Sequence, residues 1–98
     1  ERLKQYPDVP TLREAGFPNI DPRSWFGIFA PQGTPKAIVE RIRNDVVRVI
    51  TEPDFDAREI TGKGYTAIGS TADDFAKFVE ADLAYKGKMI KSGGIKVE

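Results

Sequence analysis

Residues 24–35 carry the sequence Ser-Trp-Phe-Gly-Ile-Phe-Ala-Pro-Gln-Gly-Thr-Pro, in which an aromatic run leads into a turn and then a proline. Aromatic and β-branched residues favour a strand over 24–30, and the Pro-Gln-Gly that follows favours a turn. Thr34 and Pro35 have the residue types of a helix N-cap and a first helical position. The stretch therefore predicts a strand, a turn and a helix, in that order.

This predicted strand is apolar at nearly every position instead of alternating between apolar and polar residues. Successive side chains of a strand point to opposite faces, which would put Trp25 and Phe29 on one face and Phe26 and Ile28 on the other. A strand that is apolar on both faces is typical of an α/β sheet covered by helices on each side.

The sequence after residue 35 predicts three helices and a second strand. Apolar residues recur every three to four positions in the first and last of these helices, as in an amphipathic helix. The elements in chain order are a helix over 35–51, a helix over 53–61, a strand over 65–68 and a helix over 71–91. The apolar face predicted for the last helix consists of Phe75, Phe78, Val79, Leu83 and Ile90.

Residues 1–23 form a loop-rich connecting segment, interrupted by four prolines and one glycine. Thr11 and Glu14 have the spacing of a capping box, which predicts one helical turn over 12–15. A segment this long with little regular structure is uncommon in a compact domain. Its packing partner is therefore expected elsewhere, and residues 24–98 are taken as the α/β portion.

The predicted order is loop, strand, helix, helix, strand, helix, which favours an α/β fold. Two strands joined by a helical crossover are usually parallel neighbours. Two strands alone do not make a stable sheet, since three or more are generally needed. The remaining strands are expected from another part of the protein or from another subunit.

The composition excludes several classes of function. The 98 residues contain neither cysteine nor histidine, which excludes a thiol nucleophile, a disulfide, a His/Cys zinc site and a Ser-His-Asp triad within the chain. Fifteen basic and fifteen acidic residues balance, without the basic block that nucleic-acid binding needs. The paired acids fall in first helical turns, where they stabilise the helix. We expect no enzyme activity, no metal and no cofactor.

The candidate ligand-binding residues are Ser24, Trp25, Phe26 and Gly27. A serine hydroxyl, an indole N–H and the backbone around a glycine could together hydrogen-bond a small anionic ligand in a cleft. The alternative is that Trp25 is a core side chain and that Gly27 permits close packing against it. The residues by themselves leave both interpretations open.

Four segments resemble a known family. Pro-Asp-Val-Pro-Thr-Leu-Arg-Glu-Ala-Gly-Phe at 7–17 and Trp-Phe-Gly-Ile-Phe-Ala-Pro-Gln-Gly-Thr-Pro at 25–35 are similar to the C-terminal third of the tripartite tricarboxylate transporter receptors. These are also called the Bug family of extracytoplasmic solute-binding proteins. Gly-Ser-Thr at 69–71 before Asp-Phe, and Lys-Met-Ile-Lys at 88–91 before Gly-Ile-Lys, resemble that family's terminal strand-to-helix turn and closing segment.

The resemblance implies part of a type II periplasmic-binding-protein-like fold, in which two α/β lobes hold a small carboxylate-bearing ligand between them. The strand with Trp25 would cross between the lobes, and the helices over 35–51 and 71–91 would pack on the first lobe. The family's N-terminal portion has no counterpart here, and the chain starts at Glu1, so a processed or truncated product is expected.

The function implied is that of a periplasmic receptor, which captures a small organic acid or amino acid and delivers it to membrane transporter subunits without covalent chemistry. Self-association is expected to cover apolar surface left by missing strands. An alternative is a free-standing α/β interaction module, which docks a partner through its aromatic strand edge. A non-catalytic regulatory domain is a further alternative.

Overall fold

The structure, a computed structural model, describes residues 1–96 and is helical. The helices are α1 at Lys36–Ile50, α2 at Pro53–Phe55 and α3 at Ala72–Ser92. A π-helical turn at Asp56–Ile60 and a 3-10 turn at Thr61–Lys63 continue α2. The last two residues of the predicted 24–98 portion lie outside the described residues.

No residue of the range 1–96 belongs to a β-strand, so the predicted α/β fold is wrong for this chain. The strands predicted at 24–30 and 65–68 are both absent. A strand exists through hydrogen bonds to a neighbouring strand, and no backbone hydrogen bond joins these two segments. They meet only through side chains, where the rings of Phe26 and Tyr65 lie 5.8 Å apart.

Helix α1 begins one residue later than the predicted helix and ends one residue earlier. Its N-cap is Pro35, and no side chain caps it. The expected cap residue, Thr34, instead donates its hydroxyl to the carbonyl of Pro31 at 2.7 Å. The hydroxyl thereby closes the turn that precedes the helix and does not bind the helix end.

Helix α3 has a capped start that its sequence explains. The hydroxyl of Thr71 accepts a hydrogen bond from the backbone N–H of Asp74 at 3.1 Å. Asp73 and Asp74 both lie in the first turn, where negative charge stabilises the positive end of the helix. These interactions fix where α3 begins, and the helix ends at Ser92 with Gly93 as its C-cap.

Arg43 links α1 to the segment that leads into α3. Its guanidinium donates to the backbone carbonyl of Gly69 at 2.7 Å and to that of Ser70 at 3.2 Å. At the same place Gly69 approaches α1, since a Cβ at this position would lie 3.1 Å from a methyl group of Val47. Helix α1 is thus joined to the segment before α3 by two hydrogen bonds from the Arg43 guanidinium and by the close approach of Gly69 to Val47.

The N-terminal segment contains the predicted capping box. The backbone N–H of Thr11 donates to the carboxylate of Glu14 at 2.8 Å, and the N–H of Glu14 donates to the Thr11 hydroxyl at 3.2 Å. The backbone bond from Thr11 and the guanidinium of Arg2 lower the pKa of Glu14. These contacts organise one turn within residues that are otherwise irregular.

The chain has no core of its own, because no residue of the range 1–96 is buried. Its radius of gyration is 16.7 Å, whereas a compact domain of this length has about 13 Å. Its accessible surface is 8823 Å², against about 5,600 Å² for a compact protein of this mass. The apolar faces of α1 and α3 are therefore largely uncovered. Within residues 1–96 no helix combines the length and apolarity needed to cross a membrane.

Candidate functional site

The indole of Trp25 lies on α3 and forms the centre of an aromatic cluster. Its ring centroid is 5.5 Å from that of Phe75 and 5.4 Å from that of Phe78, both in edge-to-face geometry. Phe29 joins from the same segment, 5.3 Å from Phe75. Edge-to-face pairs are favourable beyond the area that they bury. The cluster attaches the aromatic segment to the first half of α3.

A hydrogen bond fixes the polar edge of the Trp25 ring. Its indole N–H donates to a carboxylate oxygen of Asp82 at 3.0 Å. The ammonium of Lys86 lies 2.7 Å from the same oxygen and 5.8 Å from the centroid of the Trp25 ring. The hydrogen bond from Lys86, followed by that from Trp25, lowers the pKa of Asp82. The three side chains form one contiguous polar contact.

Tyr85 holds the backbone just before Trp25. Its hydroxyl accepts from the backbone N–H of Asp21 at 3.4 Å and donates to the carbonyl of Asn19 at 3.3 Å. The carboxylate of Asp21 also receives two bonds from the guanidinium of Arg23, at 2.6 and 2.8 Å. These bonds lower the pKa of Asp21 to about 2. Residues 19–25 are thus attached to α3 at two neighbouring positions.

Gly27 lies where a side chain would not fit. A Cβ at this position would overlap Cζ of Phe75 and lie 2.9 Å from its Cε1 and 3.2 Å from the ring of Trp25. The neighbouring rings therefore approach the backbone at Gly27 more closely than any other residue type would allow.

Ser24 and Phe26 lie outside this cluster, and the Phe26 ring contacts Tyr65. Both are exposed, and the Phe26 ring is 82% accessible. Within the part of the chain that the structure describes, no hydrogen bond engages the Ser24 hydroxyl or the backbone N–H groups of Phe26 and Gly27. Three donors that suit a carboxylate thus lie within four residues. Ligand contact by Ser24, Trp25, Phe26 and Gly27 stays a prediction.

The sequence did not reveal Asp82, Tyr85 and Lys86 as neighbours of Trp25. Its one signal was spacing, because Phe75, Phe78 and Asp82 recur at the interval of a single helix face. The predicted apolar face included Leu83 instead, which is 67% exposed. The presence of Asp82 on the same helix face as Phe75 and Phe78 could have indicated this contact.

Two depressions of about 260 Å³ each occur away from Trp25. One lies within the N-terminal segment around Tyr6, and the other lies on α1 around Val46 and Val49. Both are open and shallow. Across residues 1–96 no three acidic, histidine or cysteine side chains come close enough to hold a metal ion. Neither depression is lined by Ser24, Trp25, Phe26 or Gly27.

The sequence signature described as "Tripartite tricarboxylate transporter family receptor" matches residues 1–95. The chain belongs to this receptor family. The resemblance predicted from the four segments is therefore confirmed, and it covers nearly all of the chain. Residues 24–27 and the α3 residues beneath them all lie inside the matched range.

Individual proteins are also similar to the chain. Protein BugT of Bordetella pertussis is 26% identical over 99 residues, covering 100% of this chain. A UPF0065 protein of the same organism is 27% identical over 95 residues, covering 97% of the chain. A UPF0065 protein from the tcbD-tcbE intergenic region of Pseudomonas sp. strain P51 is 44% identical over 55 residues, covering 55% of the chain.

The chain spans less than a third of the length of these relatives, and the matches cover 30%, 29% and 16% of them in the same order. No solved structure matches it. The uncovered faces of α1 and α3 thus occur in a chain that corresponds to a minor part of much longer proteins.

Proposed function

We propose that this chain forms part of a periplasmic solute-binding receptor that captures a small carboxylate-bearing solute for a tripartite tricarboxylate-type transporter. The observation that carries the proposal is the family match over residues 1–95. The receptor hands the solute to membrane transporter subunits, and no covalent step is involved. The solute is a small organic acid or an amino acid.

The arrangement at Trp25 supports a carboxylate as the recognised group. A carboxylate accepts several hydrogen bonds at once, and neutral backbone and hydroxyl donors are common in ligand sites. Ser24 supplies a hydroxyl, and Phe26 and Gly27 supply backbone N–H groups. None of these donors has a partner within residues 1–96. In a receptor of family length, the other wall of the site comes from residues outside this chain.

The test is calorimetric titration of a protein as long as the relatives above that contains residues 24–27 of this chain. We expect heat with one or more dicarboxylates or amino acids in a broad panel. The matched ligand control is the amide of each binder, for example succinamide for succinate. The amide should bind about tenfold or more weakly, because hydrogen bonds to a charged group are worth about 1.5 to 3 kcal/mol. Absence of heat across the panel would count against the receptor function.

The 98-residue chain by itself is expected to self-associate. Its surface exceeds that of a compact protein of the same mass by about 3,200 Å², while each partner of a standard interface contributes about 800 Å². The apolar residues on this surface include Phe26, Ile28 and Ile68, which are 82%, 67% and 80% exposed. Light scattering over a concentration series should show a mass that rises above 10.9 kDa. A monodisperse monomer at high concentration would contradict the expectation.

A further inference from the structure

We propose that Asp82 and Lys86 are positioning residues, which hold the Trp25 ring, and through it residues 24–27, in one orientation on α3. The positioning can be observed without a ligand. Its consequence for ligand binding rests on the proposed function.

Two kinds of contact orient the Trp25 ring. Contacts with Phe75 and Phe78 hold the ring against α3 through its apolar surface, and such contacts tolerate several ring orientations. The hydrogen bond from the indole N–H to Asp82 selects one of them, because only one edge of the indole carries a donor. The carboxylate therefore determines which side of the ring faces α3.

The carboxylate of Asp82 is itself held in place by Lys86. Asp82 and Lys86 are one helical turn apart on α3 and form an ion pair, and the ammonium also lies near the face of the Trp25 ring. The Asp82 side chain is only 18% exposed, against 41% or more for the acid in every other ion pair among residues 1–96. Shielding from water strengthens a charged hydrogen bond. The hydrogen bond from Trp25 to Asp82 is therefore stronger than one to a fully exposed aspartate on a helix surface.

The hydrogen bond to Asp82 changes which donors the candidate site offers to a ligand. Because the indole N–H is engaged by Asp82, Trp25 does not offer a free donor to a ligand. The donors left for a ligand carboxylate are the Ser24 hydroxyl and the N–H groups of Phe26 and Gly27, whose positions depend on how the ring is seated. Trp25 therefore acts by orienting its neighbours.

Trp25 is the only tryptophan of the chain, so its indole proton gives a single resonance in a nitrogen–proton correlation spectrum. We expect that resonance to lie downfield in the wild type, with solvent exchange about threefold to tenfold slower than in Asp82→Ala. Asp82→Asn keeps an acceptor oxygen and should give an intermediate position. Glu80→Ala removes an acid from the same helix and should leave the resonance unchanged.

A titration of the unaltered chain tests the same contact independently of any variant. The pKa of Asp82 is lowered, so the hydrogen bond should persist as the pH falls below the ordinary aspartate value of 3.8 and be lost only as the pH passes the lowered pKa. Lys86→Met should move this transition to higher pH, while Lys88→Met should not. The charge of Asp21 also acts on Asp82 and raises its pKa. Asp21 is itself bound by the Arg23 guanidinium and donates its backbone N–H to the hydroxyl of Tyr85.

The positioning role is overturned if the indole resonance is the same in the wild type and in Asp82→Ala, or if it does not follow the protonation of Asp82. Far-UV circular dichroism identifies a variant that has lost α3. Titration of a family-length receptor then separates the two proposals. If Asp82→Ala shifts the resonance but leaves ligand affinity unchanged, the positioning stands and the assignment of residues 24–27 to the ligand site fails.

Discussion

Replacing Gly27 by alanine is expected to lower the free energy of unfolding by about 1 kcal/mol, the lower end of the cost of overpacking, because the rings involved are partly exposed. The added methyl group would overlap the far edge of the Phe75 ring and press on Trp25. The Phe75 ring can turn away only by disturbing its contacts with Trp25, Phe29 and Phe78. Urea unfolding followed by the fluorescence of Trp25 measures the change.

Gly87 provides the matched control for this substitution. It lies inside α3, and a Cβ there would meet no atom within 4 Å outside the helix's own backbone. Gly87→Ala should therefore raise the free energy of unfolding by about 0.5 to 1 kcal/mol. Opposite signs at the two glycines are expected. Equal stability of Gly27→Ala and the wild type would show that the rings do not rest on this backbone position.

Replacing Gly69 by alanine is expected to cost about 1.5 to 3 kcal/mol, from two separate sources. The backbone at Gly69 has φ +59, which residues with a side chain rarely adopt. The new methyl group would also lie 3.1 Å from Val47 on α1. Any outward shift weakens the hydrogen bonds from Arg43 to the carbonyls of Gly69 and Ser70. Thermal unfolding followed by helical circular dichroism measures the loss.

Gly33 separates the two sources of this cost. Its φ is +86, but a Cβ there would meet no atom within 4 Å, so Gly33→Ala should show only the backbone part, about 1 to 2 kcal/mol. The additional loss of stability in Gly69→Ala, relative to Gly33→Ala, should become smaller when Val47 is also replaced by alanine. If Gly69→Ala and Gly33→Ala cost the same, the contact between Gly69 and α1 contributes nothing.

The helices could be predicted from the sequence because their signals are local. The predicted bounds of the first and last helices differ from those of α1 and α3 by one residue at each end. Apolar spacing and acidic residues in a first helical turn both act within a few residues of the helix that they define. The capping by Thr34 failed because its hydroxyl found a nearer acceptor in Pro31.

The strands could not be predicted in the same way, because a strand depends on a partner. The apolar run at 24–30 favours a strand but contains no information on what pairs with it, and in this chain Phe26, Ile28 and Phe29 are exposed. Within residues 1–96 no second segment offers its backbone to it. The contacts at Trp25 also escaped prediction, since Asp82 lies 57 positions further along the chain. A single aspartate on a helix is ordinarily a solvent-exposed residue.

The distance along the chain between Trp25 and its helix also affects how the protein is made. Synthesis at about 5 to 20 residues per second separates the emergence of Trp25 from that of Asp82, 57 residues later, by roughly 3 to 11 seconds. Throughout that interval the aromatic segment has been made while the α3 carboxylate that binds its indole has not. The nascent chain therefore exposes this aromatic segment before the helix that covers Trp25 is complete.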